Sequence, residues 1–165
     1  MQWSGNIVFR QQGSISFLLD NDLSPDIATS LRLFNIDIVH FKEILQFQNR
    51  SLGVEDPEII KWCKDNHKAW ITHDFKARRQ HEAAMKAARI NVIWIRGKTE
   101  PKEVIGESTT WRFYKMFVRV IDELQRLLLA SHGAMHFRIS QKTVARPEID
   151  WVESDEDKPK KQSNA

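Results

Sequence analysis

The chain has a single cysteine, Cys63. It can therefore close no disulfide within itself and build no cysteine-rich zinc site, and so low a thiol count points to a reducing compartment, the cytoplasm. No apolar run approaches the roughly 18 residues that span a bilayer. The stretch Met1–Ser16 lacks the basic-then-apolar order of a signal peptide, so a soluble, unexported protein without a membrane partner is expected. Glycine-rich phosphate loops, GxGxxG fingerprints and serine-nucleophile motifs are missing. The histidines His40, His67, His73 and His81 do not fall at a metal-binding spacing such as HxxxH.

What is present fits one compact domain with a short appendage: 165 residues and 19.4 kDa, 41% hydrophobic and 28% charged. That mix excludes collagen-like and wholly disordered classes. The net charge of +3 hides a division. From Glu148 onward six acids face three lysines, so this end carries −3 and the body before it +6. A basic body admits a polyanionic partner. The composition separates an N-terminal extension (1–14), a domain (15–140) and a polar, disordered C-terminal tail (141–165).

Within the domain the apolar period alternates. Ile15–Leu19 is a short buried-strand run halted by Asp20-Asn21-Asp22. Ser24 and Pro25 open a helix through Ile27, Ala28, Leu31 and Phe34. Asp37–Phe41 reads as a second strand, followed by a short helix from Lys42 to Phe47 and a loop at Gly53. Asp56-Pro57-Glu58 starts a helix whose apolar side is Ile59, Ile60, Trp62 and Cys63. Ala69–Thr72 is a third strand, Phe75–Arg89 a long helix, and Asn91–Ile95 a fourth strand, followed by a loop marked by Gly97 and Pro101. Thr109–Ala130 is strongly amphipathic, with Phe113, Phe117, Val120, Ile121, Leu124, Leu127 and Leu128 at helical spacing. Off that stripe, Trp111, Tyr114 and Val118 read as core or edge packing; exposed, they would suit a partner helix or a homodimer contact. Met135–Ser140 alternates and adds one edge strand. Strands alternating with helices imply crossovers, hence a mostly parallel sheet covered by helices on both faces, a three-layer α/β sandwich.

Ligands of such sheets bind beyond the carboxyl ends of the strands. That edge collects acids: Asp20 ends strand one with Asp22 beside it, Glu43 lies past strand two, Asp56 opens the helix feeding strand three, and Asp74 follows strand three. Asp56 and Asp74 are also natural helix N-caps. Asp20 is harder to explain structurally, because an acid closing a buried strand is costly unless paired or metal-bound. Converging carboxylates are most cheaply compensated by a hard divalent cation, Mg²⁺ or Mn²⁺, which can drive phosphodiester hydrolysis. Thr72 is placed to orient Asp74 or a bound water. Lys76, Arg78, Arg79 and Lys86 follow Asp74, and Arg96 and Lys98 follow the next strand, so a polyanion could lie over the acids. His73, at a strand end, reads as a backbone hydrogen-bonding residue.

The segments FLLDNDLSPDIATSL (Phe17–Leu31), DIVHFKE (Asp37–Glu43), EDPEIIKWC (Glu55–Cys63) and AWITHDF (Ala69–Phe75) resemble, in order and spacing, the PIN-like nucleases, especially the compact VapC-type toxins of bacterial toxin–antitoxin systems. The resemblance spans Ser16–Ile139. Its most specific pieces are the acid after strand one and the T-x-D at Thr72–Asp74. It implies a PIN-like sandwich and an Mg²⁺- or Mn²⁺-dependent ribonuclease checked by a cognate antitoxin. It also implies acidic-site roles for Asp20, Asp56 and Asp74, with Glu43 similar to the acid after strand two and Asp22 an accessory ligand. The chain departs from the pattern in the residues before strand one, in His73 and Phe75 of THDF, and in the acidic tail.

Two other readings use the same residues. A signalling receiver domain would make Asp74 a phosphoacceptor beside Asp20 and Asp22, but it needs a Ser or Thr ending strand four and a Lys ending a fifth strand. A catalytically inactive PIN-like binding module would keep the scaffold without the chemistry, against which the retained acids argue.

Overall fold

The computed structural model describes residues 14–48, 54–96, 108–131, 135–141 and 147–151. Ser16–Leu19 forms β1, Pro25–Arg32 α1 and Ile38–His40 β2. Asp56–Asp65 forms α2, Lys68–Thr72 β3, Phe75–Ala88 α3 and Val92–Arg96 β4. Thr109–Ala130 is α4, His136–Gln141 β5 and Pro147–Trp151 β6. The strands make one sheet in the order β2-β1-β3-β4-β5-β6, parallel except for β6. Among the described residues no helix is long and apolar enough to cross a membrane.

Successive strand residues face opposite sides of the sheet, and both sides are apolar. Phe17, Leu19, Ile71, Ile93 and Ile95 face α1 and α4, where Phe17 meets Phe117 edge-on at 6.0 Å. Leu18, Trp70, Val92 and Trp94 face α2 and α3. This is the three-layer α/β sandwich expected from the sequence. α1 and α4 share a face although their connections run in opposite directions across the sheet, so α4 completes a crossover of the opposite hand to α1. The eight residues of α1 are too few to cover that face alone, and the 22 of α4 bury the remainder.

Local signals explain most boundaries. The Ser24 hydroxyl accepts from the Asp26 N–H with Pro25 in the first turn, and the Ser108 hydroxyl accepts from the Trp111 N–H. α1 stops at Arg32, short of the expected Phe34, which is 63% exposed. Asn35 turns the chain at φ 59°, and the Ile36 N–H returns to the Leu31 carbonyl, so Ile36 takes the place in the core.

Four further expectations need correction. The helix from Lys42 to Phe47 is two single 3₁₀ turns, Phe41–Glu43 and Leu45–Phe47, separated by extended Ile44, which is buried along with Phe47. β5 is not an edge strand: β6 pairs with it antiparallel, with Phe137 opposite Trp151 and Ser140 opposite Glu148. β6 lies inside the stretch 141–165 expected to be a disordered tail; antiparallel pairing with β5, the strand just before it in the chain, decides it, and Pro147 sits at its first position, where a missing N–H costs least. The rest of that tail, the extension up to residue 13 and the loops at Gly53, Gly97 and Pro101 lie outside the described residues. Finally, Trp111 and Val118 are 50% and 40% exposed, so they are not core.

Candidate functional site

The carboxyl edge of the sheet is assembled from three elements. Asp20 leaves β1 while its own N–H still bonds the Ile71 carbonyl of β3 at 2.9 Å, so the strand register fixes where its carboxyl stands. The chain then turns, Leu23 N–H bonding the Asp20 carbonyl and Asn21 N–H bonding Asp20 Oδ1 at 2.7 Å. Asp74 caps α3, accepting from the Lys76 N–H at 2.7 Å. Asp56 is the first residue of α2, not its N-cap; Glu55 holds that position, without a side-chain cap bond. The Asp56 carboxylate is thereby released from capping and lies 3.5 Å from His81 Nε2. Two helix N-termini converge here, each adding partial positive charge that favours anions.

Thr72, fully buried, links two of the acids: its hydroxyl bonds the Asp20 carboxylate and accepts from the Asp74 N–H at 3.1 Å. Asp22 accepts from the His73 N–H at 3.0 Å. His73 Nδ1–H donates to the Ile95 carbonyl at 2.7 Å, the backbone role expected of it, and its ring tilts against Phe113 at 5.1 Å. On the other flank His40 is buried, accepting from the Lys42 N–H at Nδ1 and so donating from Nε2 to the Leu23 carbonyl. It ties the turn after β1 to the end of β2.

Burial and neighbouring aspartates load Asp20, Asp22 and Asp56. Asp20 is only 8% exposed, and burial raises its pKa; Asp56 raises it further, while bonds from Thr72 and Asn21 oppose the shift. Asp22 is pushed up to about 6, first by partial burial of its carboxyl and then by the charge of Asp20, with Asp74 adding to it. Burial also raises Asp56, His81 opposes, and Asp74 adds repulsion. The Trp70 indole N–H faces the Asp20 carboxylate from the buried side without closing a hydrogen bond of its own.

Glu43 stands apart from this group. Its carboxylate is held by Arg32 at 2.5 and 2.6 Å, while Arg32 Nε also bonds the Ile38 carbonyl. Lys76 and Arg79 are exposed on α3; the side chain of Arg78 lies outside the described atoms. Sequence reasoning overlooked His81 and Trp70 as neighbours of the acids. His81 was accessible, since it follows Asp74 by seven residues and so shares its helix face.

Among the described residues no three His, Cys, Asp or Glu side chains stand close enough together to share a bare ion. By their chemistry Asp20, Asp22, Asp56 and Asp74 suit a hard divalent cation: they are all-oxygen donors, mutually repelling and partly desolvated. Mg²⁺ commonly keeps several waters and binds through only one or two carboxylates. A closed cage is therefore not required.

The strand order over β1–β5 is also that of receiver domains. At the end of β4, however, stand Ile95 and Arg96, where a receiver needs a hydroxyl. Neither the comparison with curated proteins nor that with solved structures returned a match. A family model described as a PIN like domain matches residues 15–97, just over half of the chain, and these residues carry β1 to β4 and all four aspartates. The chain belongs to the PIN-like domain family.

Proposed function

We propose that the protein is a metal-dependent endoribonuclease, hydrolysing RNA phosphodiester bonds at Asp20, Asp56 and Asp74 with Mg²⁺ or Mn²⁺, and that Asp22 is an accessory ligand. The observation that carries this reading is the buried Asp20 carboxylate at the end of β1, its pKa raised by burial and by Asp56. Such a buried charge is costly unless a cation meets it. When bound, the cation supplies polarisation of a phosphoryl oxygen and acidification of a water. The chain's own residues do the rest. Thr72 and Asn21 fix the Asp20 carboxyl, Thr72 and the cap on α3 fix Asp74, and the N-termini of α2 and α3 favour a phosphate above them. Exposed Lys76 and Arg79 supply charge for the polyanionic backbone.

Following the likeness to VapC-type toxins, the proposal extends to a cognate antitoxin. A partner inserting Arg or Lys among the four acids would neutralise them and displace the cation. Expression of the chain alone would then slow growth, and co-expression with the antitoxin would restore it.

The decisive experiment incubates labelled RNA with the purified chain in Mg²⁺ or Mn²⁺ and in EDTA. Cleavage should require the metal and disappear in Asp20→Asn and Asp74→Asn, each of which keeps side-chain volume and loses the charge. Wild-type rates from either variant, with a normal melting curve, would overturn the site assignment.

A further inference from the structure

The structure carries a second chemistry at the same edge, on the outward side of α4. Trp111 is half exposed, and its ring stacks on Tyr114 at 5.5 Å and 20°, with Lys115 Nζ 5.6 Å from its centre. The opposite side of this turn is Phe113, whose ring meets His73, the residue whose N–H holds Asp22. Only the thickness of one helix, about 10–12 Å, separates the indole from the acidic edge.

Charge along α4 is divided. From Thr109 to Arg119 the helix has Arg112, Lys115 and Arg119 and no acid; from Val120 on it has Asp122, Glu123 and Arg126. The cationic half is the one beside the acids. Trp111, Tyr114 and Val118 form an apolar strip only two turns long, and Asp122 and Arg126 separate it from the other outward aliphatic residue, Leu129, so the strip does not continue along the helix. An exposed, pre-oriented aromatic ring amid cations fits a polyanion whose units present flat faces.

We propose that Trp111, backed by Tyr114, is a stacking platform for an unpaired RNA base, and that it selects single-stranded over duplex RNA for the acidic edge. The proposal rests on the ribonuclease reading and names a substrate feature of that same site. Tyr114 holds the indole in one orientation, which reduces the ordering cost of stacking. A base within a duplex has both faces covered and cannot use the platform.

The test measures binding of the full chain to a short fluorescent unpaired RNA and to a hairpin duplex, in EDTA so that nothing is cleaved. Trp111→Ala should weaken binding of the unpaired RNA about tenfold, equivalent to about 1.4 kcal/mol, with little change for the duplex, and Trp111→Phe should stay within about threefold of wild type. Equal affinity of Trp111→Ala and wild type for the unpaired RNA would overturn the proposal, as would an equal loss for both RNAs. So would a changed oligomeric state in sedimentation with RNA affinity intact, which would make this face a protein interface. Cleavage in Mn²⁺ is read separately: Trp111-dependent binding without any cleavage would support the platform and remove the nuclease reading.

Discussion

Replacing Asp22 by Asn should stabilise the metal-free protein, and only above the pH at which the carboxyl of the unfolded chain ionises. The Asp22 carboxyl is pushed up to about 6 from 3.8 by its partial burial and by the charges of Asp20 and Asp74. Below 3.8 both folded and unfolded chains hold the proton and the group contributes nothing. Between 3.8 and about 6 the unfolded chain ionises first, so stability falls as pH rises; above about 6 the full cost is carried. A shift of about two units corresponds to about 3 kcal/mol, but Asp22 meets solvent on its outer side, and screening reduces this to about 1 kcal/mol. Asn retains the oxygen that accepts from the His73 N–H. For a chain of this size the gain is about 2–4 °C in Tm. Thermal unfolding in EDTA at pH 7.5 and pH 4 reads it: the variant should melt higher at pH 7.5 and nearly with wild type at pH 4. A variant melting at or below wild type at pH 7.5, or keeping its full advantage at pH 4, would refute the mutual loading of the aspartates.

Thr72→Val keeps the shape of a buried side chain and removes the hydroxyl that serves Asp20 and Asp74. It should cost about 1–3 kcal/mol in urea denaturation and lower RNA cleavage by about tenfold or more; wild-type behaviour in both would show that the hydroxyl positions nothing. Glu43→Gln should remain within about threefold of wild-type cleavage and lose less than about 1 kcal/mol, because Glu43 belongs to a half-exposed ion pair with Arg32. Cleavage falling as far as in Asp20→Asn would return Glu43 to the acidic site.

Much of this site is written in local order, and the exceptions share a cause. The acid after Phe17–Leu19, the Ser24-Pro25 start and the Asp74 cap are each specified by residues within a few positions, so the sequence alone identifies them. The pairing of Glu43 is not legible locally, because its partner, Arg32, comes from another element and reaches it only once α1 packs beside β2. Asp56, before Pro57, has the sequence signature of a cap as well as of a site acid, whereas the helix begins one residue earlier and leaves its carboxyl to meet His81 of α3. β6 escaped notice because PEIDW sits in an acidic, polar stretch, and its strand identity comes from β5. Periodicity does place Trp111 off the buried stripe of α4, but not whether another element covers it.

The left-handed residues Asn35, His67 and Arg89 each stand between a helix and the strand that follows it, ahead of β2, β3 and β4. After α1 and α3 the same pair of bonds closes the helix: Asn35 and Arg89 donate to Arg32 and Lys86, while Ile36 and Ile90 reach back to Leu31 and Met85. Glycine ordinarily fills such a corner, and a side chain there costs about 1–2 kcal/mol. All three corners lie at the amino ends of the strands, a strand's length of about 3.3 Å per residue from the aspartates. The molecule thus keeps its conformational tension at one rim and its reactive charge at the other. A designer could relax His67 or Arg89 to glycine and harden the scaffold while the acidic rim stayed as it is.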